Sequence, residues 1–466
     1  MLSLIGKIIF YIIAYTTMTL KKEFLVYKVS DEMKSCIRID ADLFKKMDVK
    51  RGLRNEDGTG VLVGLTNIGN VVGYECTPTG LKPVDGQLYY RGYEIRDLAH
   101  GIMNEKRFGF EEIAYLLLSG RLPDAEELEA FRGLITTYMP LQPKTILNII
   151  ELEGWNIMNI LSRSVLELYT YDETPDDTSR DNLVRQSIEL ISKFPPIIAY
   201  AYNMLRHKTQ NRSLHIRHSQ EHLSIAENFL YMLKGPHYTN LEARTLDLLL
   251  VLHAEHGGGN NSTFTVRVTS STGTDTYSSI AAGIGSLKGP KHGGANIKVT
   301  EMLQVLKDNI SDWCNEEEIR LNVRRLLNKE LYDRSGLVYG IGHAVYTLSD
   351  PRAVLLKEMA KDLAVEKNRV KEFEFMERLE RLAIEEVYAL KGDGKMLCAN
   401  VDFYSGFVYD MIGLPMEIYT PLFAMARIVG WCAHRNEELC FEGRRIIRPA
   451  YRCVADLNKY KPLLER

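Results

Sequence analysis

Beyond Asp97 the apolar residues of this chain recur at helical spacing, and strand–helix alternation of the βαβ type is absent, which disfavours a doubly wound parallel sheet. Phe110 to Ser119 is apolar at that spacing and stops at Gly120, a residue suited to the left-handed position that ends a helix. Pro123-Asp124 opens the next stretch, which runs through Met139. Ser224 and Glu227 have the spacing of a capping box ahead of Phe229, Leu230 and Met232. Leu246 to Leu252 reads as a solid apolar helix delivering His253. Farther on, Phe375, Met376, Leu379, Leu382, Ala383, Val387 and Leu390 form one face of a long helix that ends at Gly392. The convincing β pattern lies between Gly60 and Ile95. There Val61, Val63 and Leu65 alternate, Asn67 to Asn70 supplies a turn, Val71 and Val72 resume, and Asp85-Gly86 reads as a turn opening DGQLYYRGYEI. The expectation is a largely helical chain with minor β-hairpins near its N-terminus.

At 466 residues the chain has room for one to three domains of ~150 residues each. Lys plus Arg number 58 and Asp plus Glu 61, a formal charge of −3, so a nucleic-acid partner held through phosphates is not expected. An apolar fraction of 45% beside 26% charged residues is that of a globular core with a solvated surface. The seven cysteines are scattered without a CxxC pair, which argues against a zinc ribbon or disulfide scaffold and for a reducing, cytoplasmic setting. At the N-terminus the uninterrupted apolar run Ile8 to Tyr15 is far shorter than the ~20 residues that span a bilayer. No small-residue cleavage pattern follows it before Lys21 and Lys22, and Met18 offers an alternative start. Neither a membrane span nor a secretory leader is expected.

Four clusters rich in glycine or histidine interrupt the helices. In HAEHGGGNNSTFTVRV, His253 to Val268, a buried helix brings His256 to its C-terminal end, where the negative pole favours a donating imidazole. The glycines follow a helix rather than a strand, which excludes a Rossmann turn, and no HExxH or third ligand supports zinc. GIGSLKGPKHGGAN, Gly283 to Asn296, surrounds His292 with bare backbone. That suits either a core histidine in a tight turn or close approach of a ligand. GIGHAVYTLSDPR, Gly340 to Arg352, repeats the histidine after glycine and adds an arginine. In NVDFYSG, Asn400 to Gly406, Asp402 between Val401 and Phe403 is either a helix cap or a partly desolvated general base. Arg427 on the apolar face of PLFAMARIVGWCAH, and Arg448 in RIIRPA, call for carboxylate partners from protein or ligand. His215, His218 and His222 recur at helical spacing, but a solvated helix start explains them better than a metal.

Taken in order and at these distances, these motifs resemble those of the citrate synthase family, from about Gly60 to Arg448, and DGQLYYRGYEI resembles that family's N-terminal region. The resemblance implies an all-α, two-domain homodimer. The large domain would comprise residues 51–296 with 417–466, the small domain 297–416, and residues 1–50 an extension of unknown role. It implies catalysis by His292, His343 and Asp402, with oxaloacetate held by His256, Arg352, Arg427 and Arg448, the last reaching the partner's site. Asp402 would take a proton from the methyl group of acetyl-CoA while His292 donates to the thioester oxygen and His343 to the ketone. Acetyl-CoA is a substrate in this reading, and no metal or other cofactor is implied. Several family members carry a basic residue where Thr347 stands, so contacts to the CoA phosphates fall to Lys288 or Lys291. A 2-methylcitrate synthase using propionyl-CoA would need the same residues, and a non-catalytic CoA- or dicarboxylate-binding relative is the alternative of a different class.

Overall fold

The computed structural model describes residues 22–56, 58–78, 80–152, 154–391 and 396–466. The chain packs as two compact units, Met1–Gly64 with Arg448–Arg466, and Leu65–Ile447. In the first, residues 22–36 are helical, and a short helix Ala41–Lys46 is capped by Asp40, whose carboxylate accepts from the Asp42 amide at 3.0 Å. Many of its larger apolar side chains, Phe24, Val26, Tyr451 and Leu457 among them, are exposed, while Leu43 and Phe44 are half-buried.

In the second unit, strands β1 (Gly69–Thr77), β2 (Gly80–Tyr90) and β3 (Tyr93–Glu94) form one antiparallel sheet. Gly69 lies opposite Tyr90 and Thr77 opposite Gly80, with a slip in register between Val72 and Tyr74. The alternating Val61, Val63 and Leu65 do not make a strand. Residues 61–66 are irregular, the Val61 amide turns back to Leu53 O at 2.9 Å, and Leu62 and Leu65 are exposed. Alternation specifies a strand only where one face is buried, and here neither is. Asp85-Gly86 is likewise not a turn but lies inside β2; the chain reverses between Thr77 and Gly80.

Most of the rest of this unit is helical. Its elements include α1 (Phe110–Ser119), α2 (Ala125–Tyr138), α3 (Arg180–Gln210), α4 (Ile225–Lys234), α5 (Asn240–His253) and α6 (Asn261–Ser270). They continue with α7 (Thr276–Lys288), α8 (Ala295–Asn309), α9 (Pro351–Glu366), α10 (Val370–Lys391), α11 (Val401–Ile412) and α12 (Tyr419–Cys440). Local signals set several boundaries. Gly120 ends α1 in the left-handed region at φ 91°, and capping boxes Asp124/Glu127 and Ser224/Glu227 start α2 and α4. Helix α5 is buried from Thr245 to His253 and packs against α1, α4, α9, α11 and α12, as an all-round apolar helix must. The expected face of α10 is buried from Phe375 to Val387, whereas Leu390 is exposed, and the stop at Gly392 lies outside the described residues.

His215, His218 and His222 are not on a helix. Asn211 closes α3 at φ 52°, and Asn203 Nδ2 then holds His215 O at 3.0 Å, so the chain runs irregularly until Ser224 caps α4. Among the described residues no helix is long and apolar enough to cross a membrane, and no group of three His, Cys, Asp or Glu could hold a metal ion.

Candidate active site

The C-terminal end of α5 and the middle of α12 meet at a charged, buried junction. Arg427 on α12 is fully buried, and its Nε donates to His253 O at 2.8 Å. Its Nη1 and Nη2, the two groups that would grip a carboxylate, have no hydrogen-bond partner among the described residues. Burial pulls this guanidinium down to about 10, and the nearby Glu255 carboxylate opposes that fall. His256 Nε2 is orphaned in the same way, and burial followed by the charge of Arg352 holds the ring well below the usual imidazole range. His253 sets Nδ1 against Leu249 O at 2.8 Å and packs T-shaped with Phe423, and its buried Nε2 is likewise without a partner among the described residues. Glu255 is buried against His434, with Oε1 to Nε2 at 2.9 Å. Arg267 Nη1 donates to Nδ1 of His434 at 2.9 Å, which leaves its Nε2–H to donate to Glu255. Glycine at 430 admits that carboxylate, since a Cβ there would stand 2.4 Å from Glu255 Oε2.

The loop from Gly340 to Asp350 brings the next groups. His343 Nδ1 accepts from the amides of Val345 and Tyr346 at 3.1 and 3.0 Å, so the neutral ring carries its proton on Nε2. Its centroid lies 5.2 Å from that of His256. Arg352, in the first turn of α9, is buried and bound by Asp350 through Nε at 3.0 Å and Nη2 at 2.8 Å. Burial alone would lower this guanidinium, and Asp350 more than reverses the effect. Asp350 also caps α9 and accepts from the Val401 amide at 3.3 Å, tying this loop to the start of α11.

Asp402 stands in the first turn of α11, but it is not the cap. Asn400 is, with Oδ1 accepting from the Asp402 amide at 3.0 Å and Nδ2 donating to Gly342 O at 2.9 Å. The Asp402 carboxyl is therefore unneeded for capping. Burial pushes it up to about 6, partly opposed by Arg352. Asn400→Ala is expected to cost about 1 kcal/mol, the usual worth of a cap, and to lower turnover by loosening the turn that carries Asp402. Denaturant melts and a rate assay on the same preparation check both.

His292 lies in the turn before α8. The Ser262 amide, in the first turn of α6, donates to its Nε2 at 3.3 Å, and Ser262 Oγ, which accepts from Trp431 Nε1, is 3.1 Å from the same nitrogen. With Nε2 accepting, the proton sits on Nδ1. Burial, then Arg427, lowers His292 to about 4, so the ring is neutral at physiological pH. The tight-turn reading of this segment holds as well, because a Cβ at Gly293 would stand 2.2 Å from Leu287 O.

The Leu65–Ile447 unit thus gathers His256, His343 and Arg352 around neighbouring rings. Arg352 acts electrostatically on Asp402 and His256, and Arg427 on His256 and His292. Lys288 and Lys291 are exposed. Arg448 is exposed and belongs to the other unit. Sequence reading missed Ser262, Glu255, Asp350, Tyr346 and Asn400. All five lie inside the motifs, but their roles depend on partners that spacing alone does not reveal.

A helical fold holding paired arginines, neutral histidines and a raised carboxyl belongs to acid–base enzymes acting on anionic substrates. The family model described as citrate synthase, C-terminal domain, matches residues 58–450. A citrate synthase of Haloferax volcanii is 37% identical over 387 residues, covering 82% of this chain and 93% of the relative. A 2-methylcitrate synthase of Shewanella oneidensis is 32% identical over 365 residues, covering 78% and 87%. The solved ternary complex of a Thermoplasma acidophilum citrate synthase with carboxymethyl coenzyme A and oxaloacetate superimposes with a TM-score of 0.72 at 28% identity, covering 90% of this chain and 99% of that one. The chain belongs to the citrate synthase family.

Proposed function

We propose that this enzyme condenses acetyl-CoA with oxaloacetate and hydrolyses the resulting citryl-CoA to citrate and CoA. The observation that carries the reading is the buried guanidinium of Arg427, whose two Nη groups await a carboxylate. Arg352, oriented by Asp350, serves the same dicarboxylate, and His256 orients it. His343 Nε2–H donates to the ketone oxygen, where negative charge develops as the carbon–carbon bond forms. Asp402, poised near 6, is ionised at neutral pH yet basic enough to remove a methyl proton from the thioester. His292, neutral and protonated on Nδ1, stabilises the enol or enolate oxygen. The sequence of steps is redox-neutral and uses these side chains and water, with no metal or redox cofactor.

Arg448 reaches the site of the partner subunit in a homodimer, and residues 297–416 close as a small domain over residues 51–296 and 417–466, excluding water before condensation. Lys288 and Lys291, both exposed, are the candidates for the CoA phosphates. Thr347 is occupied elsewhere, its hydroxyl donating to Gly73 O at 3.3 Å. Cys36, Cys314, Cys398, Cys432, Cys440 and Cys453 are free thiols, which supports a cytoplasmic enzyme.

Thiol release with oxaloacetate, measured with acetyl-CoA and propionyl-CoA at equal enzyme, tests the reading. Acetyl-CoA is expected to react at least ~10-fold faster, within the reach of a one-methylene difference in the acyl pocket. Preference for propionyl-CoA makes the enzyme a 2-methylcitrate synthase. Oxaloacetate binding without thiol release from either donor makes it a non-catalytic relative.

A further inference from the structure

We propose that Tyr346 is the positioning residue that sets the mutual orientation of His343, Arg352 and His256, and that the β1–β2 hairpin is the template that holds it there. The proposal rests on assigning those three groups to oxaloacetate. The Tyr346 ring stacks on His343 at 4.6 Å between centroids and 26° between planes. The same ring meets His256 edge-on at 5.7 Å, and the Arg352 guanidinium carbon lies 5.8 Å from its centroid. One buried aromatic ring therefore lies against all three groups assigned to the dicarboxylate, His343, Arg352 and His256.

Amides of Val345 and Tyr346 anchor Nδ1 of His343, and the Tyr346 ring lies stacked along its plane. Stacking restrains that plane and so helps to aim Nε2–H. A cation over an aromatic face gives Arg352 a second restraint beside Asp350. The phenol hydroxyl contributes little, since its approach to Gln87 O is 3.5 Å, at the limit of a hydrogen bond.

The hairpin supplies the other half of the vice. A Cβ at Gly73 would stand 2.3 Å from Val345 O, and one at Gly86 would stand 2.0 Å from Ser349 O and 2.6 Å from the Tyr346 ring. Neither glycine adopts a positive φ, so glycine is required here for space rather than for conformation. Through these two gaps the loop lies directly on the strands. Thr347 Oγ1 donates to Gly73 O at 3.3 Å, the Gly86 amide donates to Ser349 Oγ at 3.1 Å, and that hydroxyl donates to Asp85 Oδ1 at 3.2 Å. This also accounts for the Asp-Gly pair that mimics a turn in the sequence.

Tyr346→Phe and Tyr346→Leu, assayed for kcat, for KM toward each substrate and for Tm, test the proposal. Tyr346→Phe is expected to stay within about threefold of wild type on every parameter, because it retains the face and loses only a marginal hydrogen bond. Tyr346→Leu is expected to lower kcat/KM for oxaloacetate by about 30-fold or more, as misaimed groups do, with the KM for acetyl-CoA nearly unchanged. Should the leucine variant not fold, Tyr346→Met, a flexible side chain without a ring face, is read by the same criteria. A Leu or Met variant with wild-type kcat/KM for oxaloacetate overturns the proposal, as does a Phe variant that falls as far as Leu. A wild-type enzyme that releases no thiol instead overturns the parent reading, so the two failures are distinguishable.

Discussion

Asp402→Asn is expected to lower turnover by between ~10²- and ~10⁴-fold, the range for a lost general base, while leaving oxaloacetate binding intact. The carboxamide is nearly isosteric and the Asn400 cap does not involve the Asp402 side chain, so α11 keeps its first turn. The pH profile gives a second check. With the carboxyl raised to about 6 by burial, kcat/KM of the wild type should fall as pH drops through 6, because only the ionised form accepts a proton. A stability signature accompanies it. The folded value lies above the ordinary unfolded value of ~3.9, so the native state binds the proton more tightly and loses stability as pH rises between them. Above about 6 the penalty is complete, and Asp402→Asn should therefore melt higher than wild type at pH ~7.5 but not at pH ~4. Near-normal turnover in the variant would falsify the assignment of the base.

Much of this was legible in the sequence because it is local. The start of α2 at Pro123-Asp124, the capping box of α4, the Gly120 stop and the apolar run of α5 depend on neighbours within a turn or two, and all appear as read. The segments that carry His256, His292, His343 and Asp402 stand out equally plainly, since histidines among glycines and an acid between apolar residues differ from ordinary core sequence. What failed was nonlocal. Asp85-Gly86 has turn chemistry, but its glycine answers to Ser349, far along the chain. Val61 to Leu65 alternates without a partner strand to sort its faces. Arg352 shows a subtler limit. Asp350, two residues earlier, holds it within the protein, a pairing that the sequence reading does not name.

Arg427→Leu is expected to weaken oxaloacetate binding by about 10³-fold. Each hydrogen bond from a charged donor contributes ~1.5–3 kcal/mol, and a bidentate grip loses two, so ~3–6 kcal/mol corresponds to ~10²- to ~10⁴-fold. Unlike most losses at a buried position, this one should not destabilise the free enzyme. The variant gives up the bond from Nε to His253 O and the contact with the Phe423 ring at 4.7 Å. It also removes two buried NH2 nitrogens that have no partner among the described residues, and leaving such groups unmet costs about 1–3 kcal/mol each. The balance favours an unchanged or higher Tm in the absence of ligand, with the stabilisation that oxaloacetate confers on the wild type abolished. Arg427→Lys separates charge from geometry, since an ammonium keeps the charge but cannot present two parallel donors, and it should fall between the two. Calorimetric titration of oxaloacetate into the three proteins reads the order directly. Equal affinities across the series would mean that the substrate carboxylate sits elsewhere and that the open face of Arg427 answers to some other anion.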